Sequence, residues 1–178
     1  MDADGVLRHL GAARGLVAID GPSGAGKSTY ASGLVADLRS AGHRVALVRT
    51  DDYATWENPV AWWPRLLKEI IDPFARGWDA RYRPLEWRDG VARPGREVRL
   101  SWAPLVVLEG VSSARRSFAP RVSLPLWLDG GTDAVRLERA VARDGESERE
   151  HLRRWQEFER GWFAVDRTRE RCVAADPP

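Results

Sequence analysis

The sequence predicts a three-layer α/β domain, in which a parallel sheet lies between layers of helices. Five short apolar runs occur along the 178 residues, and they are near-continuous rather than alternating. Such runs are typical of strands that are buried on both faces, as in a parallel sheet. Sequence of helical character separates most of them, which indicates repeated βαβ units. The predicted strands are 16–20, 45–49, 105–109, 124–129 and 172–176.

Three segments between these runs are predicted to be helical. They are 27–41, which should end before Gly42, followed by 132–143 and 147–168. We interpret the chain as one domain, 1–178, with an insertion at 54–103 that caps the sheet and holds six of the nine tryptophans. Pro64 suits the first turn of a helix that runs to about Ile71. After Asp72 the sequence predicts irregular loops, with a hairpin near Asp89-Gly90.

The composition limits the classes of function that fit this chain. The 28 basic residues nearly balance the 26 acidic ones and form no long run, so we do not expect a nucleic-acid partner. One cysteine cannot form an internal disulfide, which favours a reducing cytoplasm. The first residues are acidic, and no apolar run is long enough to cross a bilayer. We therefore expect a soluble, cytoplasmic protein without a membrane partner.

The stretch "LVAIDGPSGAGKSTYASGL" contains a complete phosphate-loop motif, G-x-x-x-x-G-K-[ST], between a predicted strand and a predicted helix. The glycines let successive backbone N–H groups turn toward phosphate oxygens, and the helix N-terminus adds its dipole. Lys27, one of only two lysines in the chain, would reach the β- and γ-phosphates, and Ser28 would bind Mg²⁺. The predicted nucleotide-binding residues of the loop are Gly21, Ser23, Gly24, Ala25, Gly26, Lys27, Ser28 and Thr29.

Carboxylates follow two of the predicted strands. Asp51 and Asp52 come after the strand 45–49, and Glu109 ends the strand 105–109. Ligands of open α/β sheets lie at this carboxyl edge, so these acids could bind Mg²⁺ or accept a proton from a hydroxyl group. Each of them could instead cap a turn or a helix. Asp129 is a rival acid for a metal, although the "GGTDA" after it is more typical of a plain turn.

At this point the chain resembles the uridine kinase group of P-loop kinases, relatives of phosphoribulokinase and pantothenate kinase. The resemblance rests on an ordered set of segments that covers most of the chain: "DGPSGAGKST", "RTDDY", "YRPLEWRDG", "VVLEG", "LWLDGGTDAVRLERAVARDG" and the "W..FERGWF" helix. It implies a parallel five-stranded sheet with a mobile lid at about 136–150, and ATP and Mg²⁺ as cofactors. It further implies that Asp51 is the general base, and that Glu109 lies near the metal with Ser28 and Asp51.

The predicted lid carries three arginines on one helical face. Arg136, Arg139 and Arg143 are spaced i, i+3 and i+7, so their guanidinium groups should converge. A bound triphosphate would relieve their mutual repulsion, which makes Arg136 and Arg139 candidates for ATP binding and Arg139 and Arg143 candidates for catalysis. The alternative is a solvated helix whose arginines pair with Glu138, Asp144 and Glu146.

The resemblance places Asp51, Asp52, Tyr53, Tyr82 and Trp87 at the acceptor site. Pyrimidine nucleoside kinases of this group have a histidine five residues after the tyrosine, where this chain has Trp87. An indole ring offers no hydrogen-bond acceptor and adds bulk, so the acceptor is left open between a nucleoside and another metabolite alcohol. We expect Trp63 and Trp127 to pack in the core.

The sequence thus predicts an ATP-dependent kinase that phosphorylates a hydroxyl group of a small molecule. The alternative is a regulatory or hydrolytic nucleotide-binding protein in which water is the acceptor. The sequence leaves the oligomeric state open. The three histidines are isolated, and we expect them at the surface rather than at a metal site.

Overall fold

A computed structural model of the chain describes residues 1–88 and 91–175. The strands, in chain order, are β1 (Gly15–Asp20), β2 (Val45–Arg49), β3 (Ala80–Tyr82), β4 (Leu85–Arg88), β5 (Val91–Pro94), β6 (Val98–Leu100), β7 (Leu105–Glu109), β8 (Leu124–Trp127) and β9 (Val173–Ala174). The α-helices are α1 (Ala3–Leu10), α2 (Lys27–Ser40), α3 (Trp63–Leu66), α4 (Asp72–Ala75), α5 (Asp133–Asp144), α6 (Arg149–Asp166) and α7 (Thr168–Arg171).

The central sheet has five parallel strands in the order β2-β7-β1-β8-β9. The predicted strands 45–49 and 105–109 agree with β2 and β7, residue for residue. The predicted strand 124–129 ends earlier, at Trp127. The last strand is only two residues long, yet it pairs with β8 and completes the sheet. A parallel sheet flanked by helices is the predicted fold class, and the structure confirms it.

Alternate residues of β1 face two different cores, as the two-residue period of a strand requires. Val17 and Ile19 pack with α1 and α2 on one face of the sheet. Leu16 and Ala18 pack on the other face, in a cluster that includes Trp62 and Trp63 of the segment 54–103. The continuous apolar sequence of β1 is therefore explained by burial on both sides.

The helices begin and end close to their predicted positions. The helix α2 follows the phosphate loop directly, and Gly42 beyond its end has a left-handed φ of 85°. The helix α5 is capped by Thr132, whose hydroxyl accepts a hydrogen bond from the N–H of Val135. The sequence analysis missed α1, which Asp2 caps through a 2.8 Å hydrogen bond from the N–H of Gly5.

The segment 54–103 is more ordered than the sequence predicts. The helix that begins near Pro64 does not end at Ile71, because a π-helical turn (Leu67–Ile71) leads directly into α4. Irregular loops were expected after Asp72, and this expectation is wrong, because β3 pairs with β6 and β4 pairs with β5, both antiparallel. The expected hairpin is confirmed by the pairing of β4 with β5, in which Arg88 lies opposite Val91. The Asp89-Gly90 pair itself lies outside the described residues.

Two tryptophans expected in the core are buried there, Trp63 with 6% and Trp127 with 7% of its surface exposed. Trp63 packs on Phe118 with ring centroids 4.4 Å apart, and Trp127 meets Phe163 edge-on at 4.8 Å. Large aromatic rings contribute much of the apolar area that a domain of this size removes from water. Within the described ranges, no helix combines the length and apolar character that crossing a membrane requires.

Candidate functional site

The phosphate loop connects β1 to α2 and lies at the carboxyl edge of the sheet. Three of its glycines have φ angles that other residues rarely adopt, 143° at Gly21, 76° at Gly24 and 88° at Gly26. A Cβ on Gly24 would lie 2.3 Å from the carbonyl oxygen of Arg136, and one on Gly21 would lie 2.1 Å from that of Leu128. The loop therefore needs glycine both for its turn and for the close approach of α5 and of the chain after β8.

Several backbone N–H groups of this loop are free to bind an anion. No described residue accepts a hydrogen bond from the N–H of Gly24, Gly26, Lys27 or Ser28. The last two belong to the first turn of α2, where the helix dipole is positive. Free N–H groups at such a turn form a site for phosphate oxygens. Gly26, Ser28 and Thr29 are exposed, so this site is open to solvent.

The ammonium group of Lys27 is buried against the backbone of the phosphate loop. Lys27 is 8% exposed, and its Nζ donates a 2.8 Å hydrogen bond to the carbonyl oxygen of Pro22. This contact holds the charge next to the free N–H groups.

Asp20, the last residue of β1, is a buried acid that the sequence analysis did not select. Its carboxylate accepts hydrogen bonds from the N–H groups of Gly21 at 2.8 Å, Ser112 at 3.0 Å and Ala114 at 2.8 Å. Burial raises the pKa of Asp20 to about 7, while these N–H groups and Lys27 act in the opposite direction. Asp20 thus fixes the loop after β7 against the start of the phosphate loop. An acid at the end of a strand before a glycine is the only sequence signal for this role.

Glu109 ends β7 beside the phosphate loop. It is 2% exposed, and burial together with the charge of Asp51 raises its pKa, while Lys27, Ser28 and Arg49 lower it. Its carboxylate lies 3.4 Å from the guanidinium group of Arg49, and the hydroxyl of Ser28 is close enough to lower its pKa. A hydroxyl and two carboxylates are hard oxygen ligands of the kind that Mg²⁺ binds while it keeps several waters. The predicted metal residues therefore fit this ion.

Asp51 and Asp52 follow β2 in a short 3₁₀-helix and have different surroundings. Asp51 is exposed and has no hydrogen-bond or ion-pair partner among the described residues. Asp52 is half-buried and accepts a 2.9 Å hydrogen bond from the hydroxyl of Tyr82. Burial raises the pKa of Asp52, and this hydrogen bond opposes the shift. Tyr53 stacks on Tyr82 with ring centroids 5.8 Å apart, so both tyrosines lie behind Asp52 rather than in the open site.

A cavity of about 630 Å³ extends from the phosphate loop over these acids. Ser23 lies at one side of it, and three tryptophans form much of the remaining wall. Besides Ser23, the residues that line it are Asp51, Asp52, Ala54, Thr55, Trp56, Leu85, Trp87, Arg143, Asp144, Glu148, Leu152 and Trp155. Of the predicted acceptor residues, Asp51, Asp52 and Trp87 line the cavity, whereas Tyr53 and Tyr82 do not. The sequence analysis missed Trp56 and Trp155.

The three arginines of α5 have different partners, although their spacing places them on one helical face. Arg136 is buried, and its guanidinium group is bound by the carbonyl oxygens of Asp129 and Gly131 and by the carboxylate of Asp133. Arg139 donates to the carbonyl oxygen of Gly130 at 2.7 Å and to that of Gly24, in the phosphate loop, at 3.4 Å. These contacts anchor the start of α5 and leave nucleotide binding by Arg136 and Arg139 a prediction.

Arg143 is the arginine of α5 that reaches the cavity. It forms a two-point ion pair with the adjacent Asp144, with both distances 2.6 Å. This pair is one of the alternatives that the sequence left open. The other two expected acids, Glu138 and Glu146, instead bind Arg149 at the start of α6.

Glu159 of α6 contacts the phosphate loop directly and was not selected from the sequence. It is 1% exposed, and its carboxylate accepts hydrogen bonds from the N–H of Ser23 at 3.0 and 3.1 Å and from the hydroxyl of Ser23 at 2.5 Å. The indole N–H of Trp155 donates to the same carboxylate at 2.6 Å. Burial raises the pKa of Glu159. A glutamate on the buried face of a helix is its only sequence signal.

Three solved structures resemble the whole chain. A protein described as a possible uridine kinase from Bacillus stearothermophilus has a TM-score of 0.66 and 18% identity, over 98% of this chain and 97% of the other. A candidate fructose transport system kinase from Silicibacter sp. has a TM-score of 0.59 and 18% identity, over 99% and 98%. D-glycerate 3-kinase from Cryptococcus neoformans has a TM-score of 0.65 and 15% identity, over 88% and 86%.

The chain has the P-loop kinase fold. At this level of identity the likeness extends to the fold and not to the substrate. No protein-family model matches the sequence, and no curated protein matches it. The P-loop kinase fold accounts for the five parallel strands and for the phosphate loop at their carboxyl edge. It also agrees with the resemblance that the ordered sequence segments indicate.

Proposed function

We propose that this protein is a kinase that transfers the γ-phosphoryl group of ATP to a hydroxyl group of a small molecule. The observation that carries the proposal is the cavity of about 630 Å³, which joins the phosphate loop at Ser23 to the free carboxylate of Asp51. A protein that only hydrolyses ATP needs room for one water at this position. A volume of 300–1,000 Å³ is instead typical of a site for a small organic ligand.

The donor side of the proposal rests on the free N–H groups of the phosphate loop and on Lys27. They would bind the phosphates of ATP and orient the γ-phosphoryl group toward the cavity. Ser28 and Glu109, with Asp51 nearby, would hold Mg²⁺, which would neutralise charge on the phosphates when it is bound. Arg143, at the cavity, is the cation of the proposed lid that is closest to the acceptor side.

Asp51 is the proposed general base. Its carboxylate accepts the proton of the acceptor hydroxyl while that oxygen forms a bond to the γ-phosphorus and the bond to the β-phosphate oxygen breaks. The products are a phosphate monoester and ADP. No covalent enzyme intermediate is needed, because phosphoryl transfer depends on positioning and on charge stabilisation.

The experiment is to measure ADP formation from Mg·ATP alone and with a panel of nucleosides, sugars and other alcohols. We expect one class of acceptor to raise the rate at least a hundredfold or so. Asp51→Asn should lower this stimulated rate by roughly 10²–10⁴, the usual contribution of a general base. Asp37→Asn, at an exposed position of α2, is the matched control and should change nothing.

Two results would contradict the proposal. If no acceptor raises the rate and Asp51→Asn hydrolyses ATP as fast as the wild type, water is the acceptor and the protein belongs with the regulatory or hydrolytic class. If Lys27→Ala binds ATP with unchanged affinity, the phosphate loop is not the donor site.

A further inference from the structure

We infer that the acceptor alcohol carries a positive charge on nitrogen, as an amino alcohol or an amino sugar does. This inference rests on the proposed function, because it concerns the part of the cavity that the γ-phosphoryl group does not fill. It is carried by two independent properties of the cavity wall, the arrangement of its aromatic rings and its balance of charge.

The aromatic part of the cavity wall consists of Trp56, Trp87 and Trp155, and the ring of Trp56 contacts the other two. The ring of Trp56 meets Trp155 at a centroid distance of 5.3 Å and an angle of 81°, and it meets Trp87 at 5.5 Å and 61°. All three residues line the cavity, and Trp87 is 43% exposed. They come from the inserted segment and from α6, so chain neighbours do not impose this arrangement.

The steep angles between these rings favour a compact cation over a flat base. A planar nucleobase gains most from two parallel rings that enclose it, and neither angle is close to parallel. Rings at a steep angle can each turn a π-face toward the same cation, as the rings of aromatic cages that bind ammonium groups do. Tryptophan is the best of the aromatic side chains for this contact.

The charged wall has the sign that a cation requires. Asp51, Asp52 and Glu148 line the cavity, and none of them has an ion-pair partner in the part of the chain that the structure describes. Arg143 is the one cation among the wall residues, and Asp144 pairs with it at both nitrogens. With Asp51 assigned to the proton transfer, Asp52 and Glu148 remain for the rest of the acceptor.

An anionic acceptor would meet like charge here. The carboxylate of such an acceptor would need Arg143 to leave Asp144, and it would still face Glu148. An ammonium group would be attracted at this position, because both the carboxylate of Glu148 and the faces of the tryptophan rings interact favourably with a cation. The transfer itself is unchanged: the hydroxyl loses its proton to Asp51 and gains the phosphoryl group, and the nitrogen keeps its charge throughout.

The test uses acceptors that differ in charge but little in shape. Choline is compared with 3,3-dimethylbutan-1-ol, its uncharged carbon isostere, and glucosamine with glucose, while glycerate and uridine represent an anion and a planar nucleoside. We expect at least a tenfold higher kcat/KM for ADP formation with the cationic member of a pair. A neutral, anionic or planar acceptor that equals or exceeds the cationic one overturns the inference and leaves the proposed function intact.

Variants of the cavity wall test the two contributions. Glu148→Gln and Trp87→Leu should each reduce the preference for the cation at least threefold, whereas Glu157→Gln, an exposed acid on α6 that pairs with Arg153, should not. An unchanged preference in both wall variants overturns the inference.

If no alcohol of any charge raises the rate of ADP formation, the proposed function is wrong, and this result does not by itself decide the inference about the charge of the ligand. The inference is then decided by binding, with tryptophan fluorescence followed during titration with choline and with its isostere. Equal affinity for the two compounds overturns the inference.

Discussion

The carboxylate of Glu159 and the backbone N–H of Ser23 form a hydrogen bond of 3.0 Å that joins α6 to the phosphate loop. The hydroxyl of Ser23 donates to the same group, and so does the indole of Trp155, whose ring lines the cavity. Glu159 therefore touches the loop that would bind the donor and a residue of the wall that would bind the acceptor. Because the N–H of Ser23 is used in this way, it is not free for phosphate, unlike the N–H of Gly24.

Replacing Glu159 with glutamine should weaken both the fold and nucleotide binding. The amide keeps one acceptor oxygen, but its NH₂ group would oppose donors from Ser23 and Trp155. A buried hydrogen bond to a charged group contributes roughly 1.5–3 kcal/mol, and we expect a loss of that order in the free energy of unfolding, measured in urea. The affinity for ATP, measured by calorimetry, should fall at least fivefold. Glu157→Gln is the control, and an equal effect of both substitutions would show that the contact with Ser23 is not responsible.

Gly24→Ala should disable the phosphate loop. Its Cβ would lie 2.3 Å from a carbonyl oxygen of α5 at a φ of 76°, so either the loop or α5 must move. We expect ATP affinity to fall below detection and the free energy of unfolding to drop by roughly 1–3 kcal/mol. Gly33→Ala in α2 is the matched control, because nothing lies within 4 Å of its Cβ. That change should instead stabilise the helix by roughly 0.5–1 kcal/mol.

Tyr82→Phe should shift the pH dependence of phosphoryl transfer. The hydroxyl of Tyr82 donates to Asp52 and lowers the pKa of that acid against the effect of burial. Without it the pKa of Asp52 rises, so the acidic limb of kcat/KM for the acceptor should move to higher pH. Tyr30→Phe, which removes a tyrosine hydroxyl on the other face of the sheet, should leave the limb in place. An identical pH profile in Tyr82→Phe would mean that Asp52 does not act on the acceptor.

The buried acids of this protein should contribute less to its stability as the pH rises from about 4 to about 7. Burial raises the pKa of Asp20 from 3.8 to about 7 in the folded state, and it raises those of Asp52, Glu109 and Glu159 as well. In this range the folded protein binds protons that the unfolded chain has released, so a higher pH favours unfolding. For Asp20 alone the effect is at most roughly 4 kcal/mol. Urea midpoints at pH 5 and pH 7.5 are compared between the wild type and Asp20→Asn, and an equal change of the midpoint with pH in the two proteins would contradict this prediction.

The strands and the phosphate loop could be predicted because each leaves a local signal. Buried parallel strands are continuous apolar runs, and the loop needs glycines at fixed positions before a helix. Apart from the Asp-Gly pair that predicted the hairpin of β4 and β5, the segment 54–103 has no such signal, because its helix continues through a π-helical turn and its strands are three or four residues long. Their ordering depends on tertiary contacts, such as the packing of Trp63 on Phe118.

The site could be predicted only where a residue adjoins a motif or a strand end. Asp51 and Glu109 were selected in this way, and their roles stay predictions. Glu159 could not be, since it lies 136 positions after Ser23 and reaches it only through the packing of α6. Trp155 was likewise hidden among the other aromatic residues. For the arginines of α5 the helical spacing was predicted correctly, but their partners were not. The spacing could not reveal that Arg136 is bound by the turn before its own helix.

Lys27 is buried at the phosphate loop, so chemical labelling of the lysines can report whether a nucleotide is bound. Lys68 is exposed, and it is the only other lysine in the sequence. An acyl phosphate derivative of ATP would deliver its acyl group to Lys27, while a general amine reagent would modify Lys68. Acylation blocks cleavage after lysine, but cleavage after arginine places the two lysines on separate fragments, 15–39 and 66–76, which mass spectrometry can distinguish. The ratio of label on the two lysines would therefore report nucleotide occupancy in a cell extract, without purification and without knowledge of the acceptor.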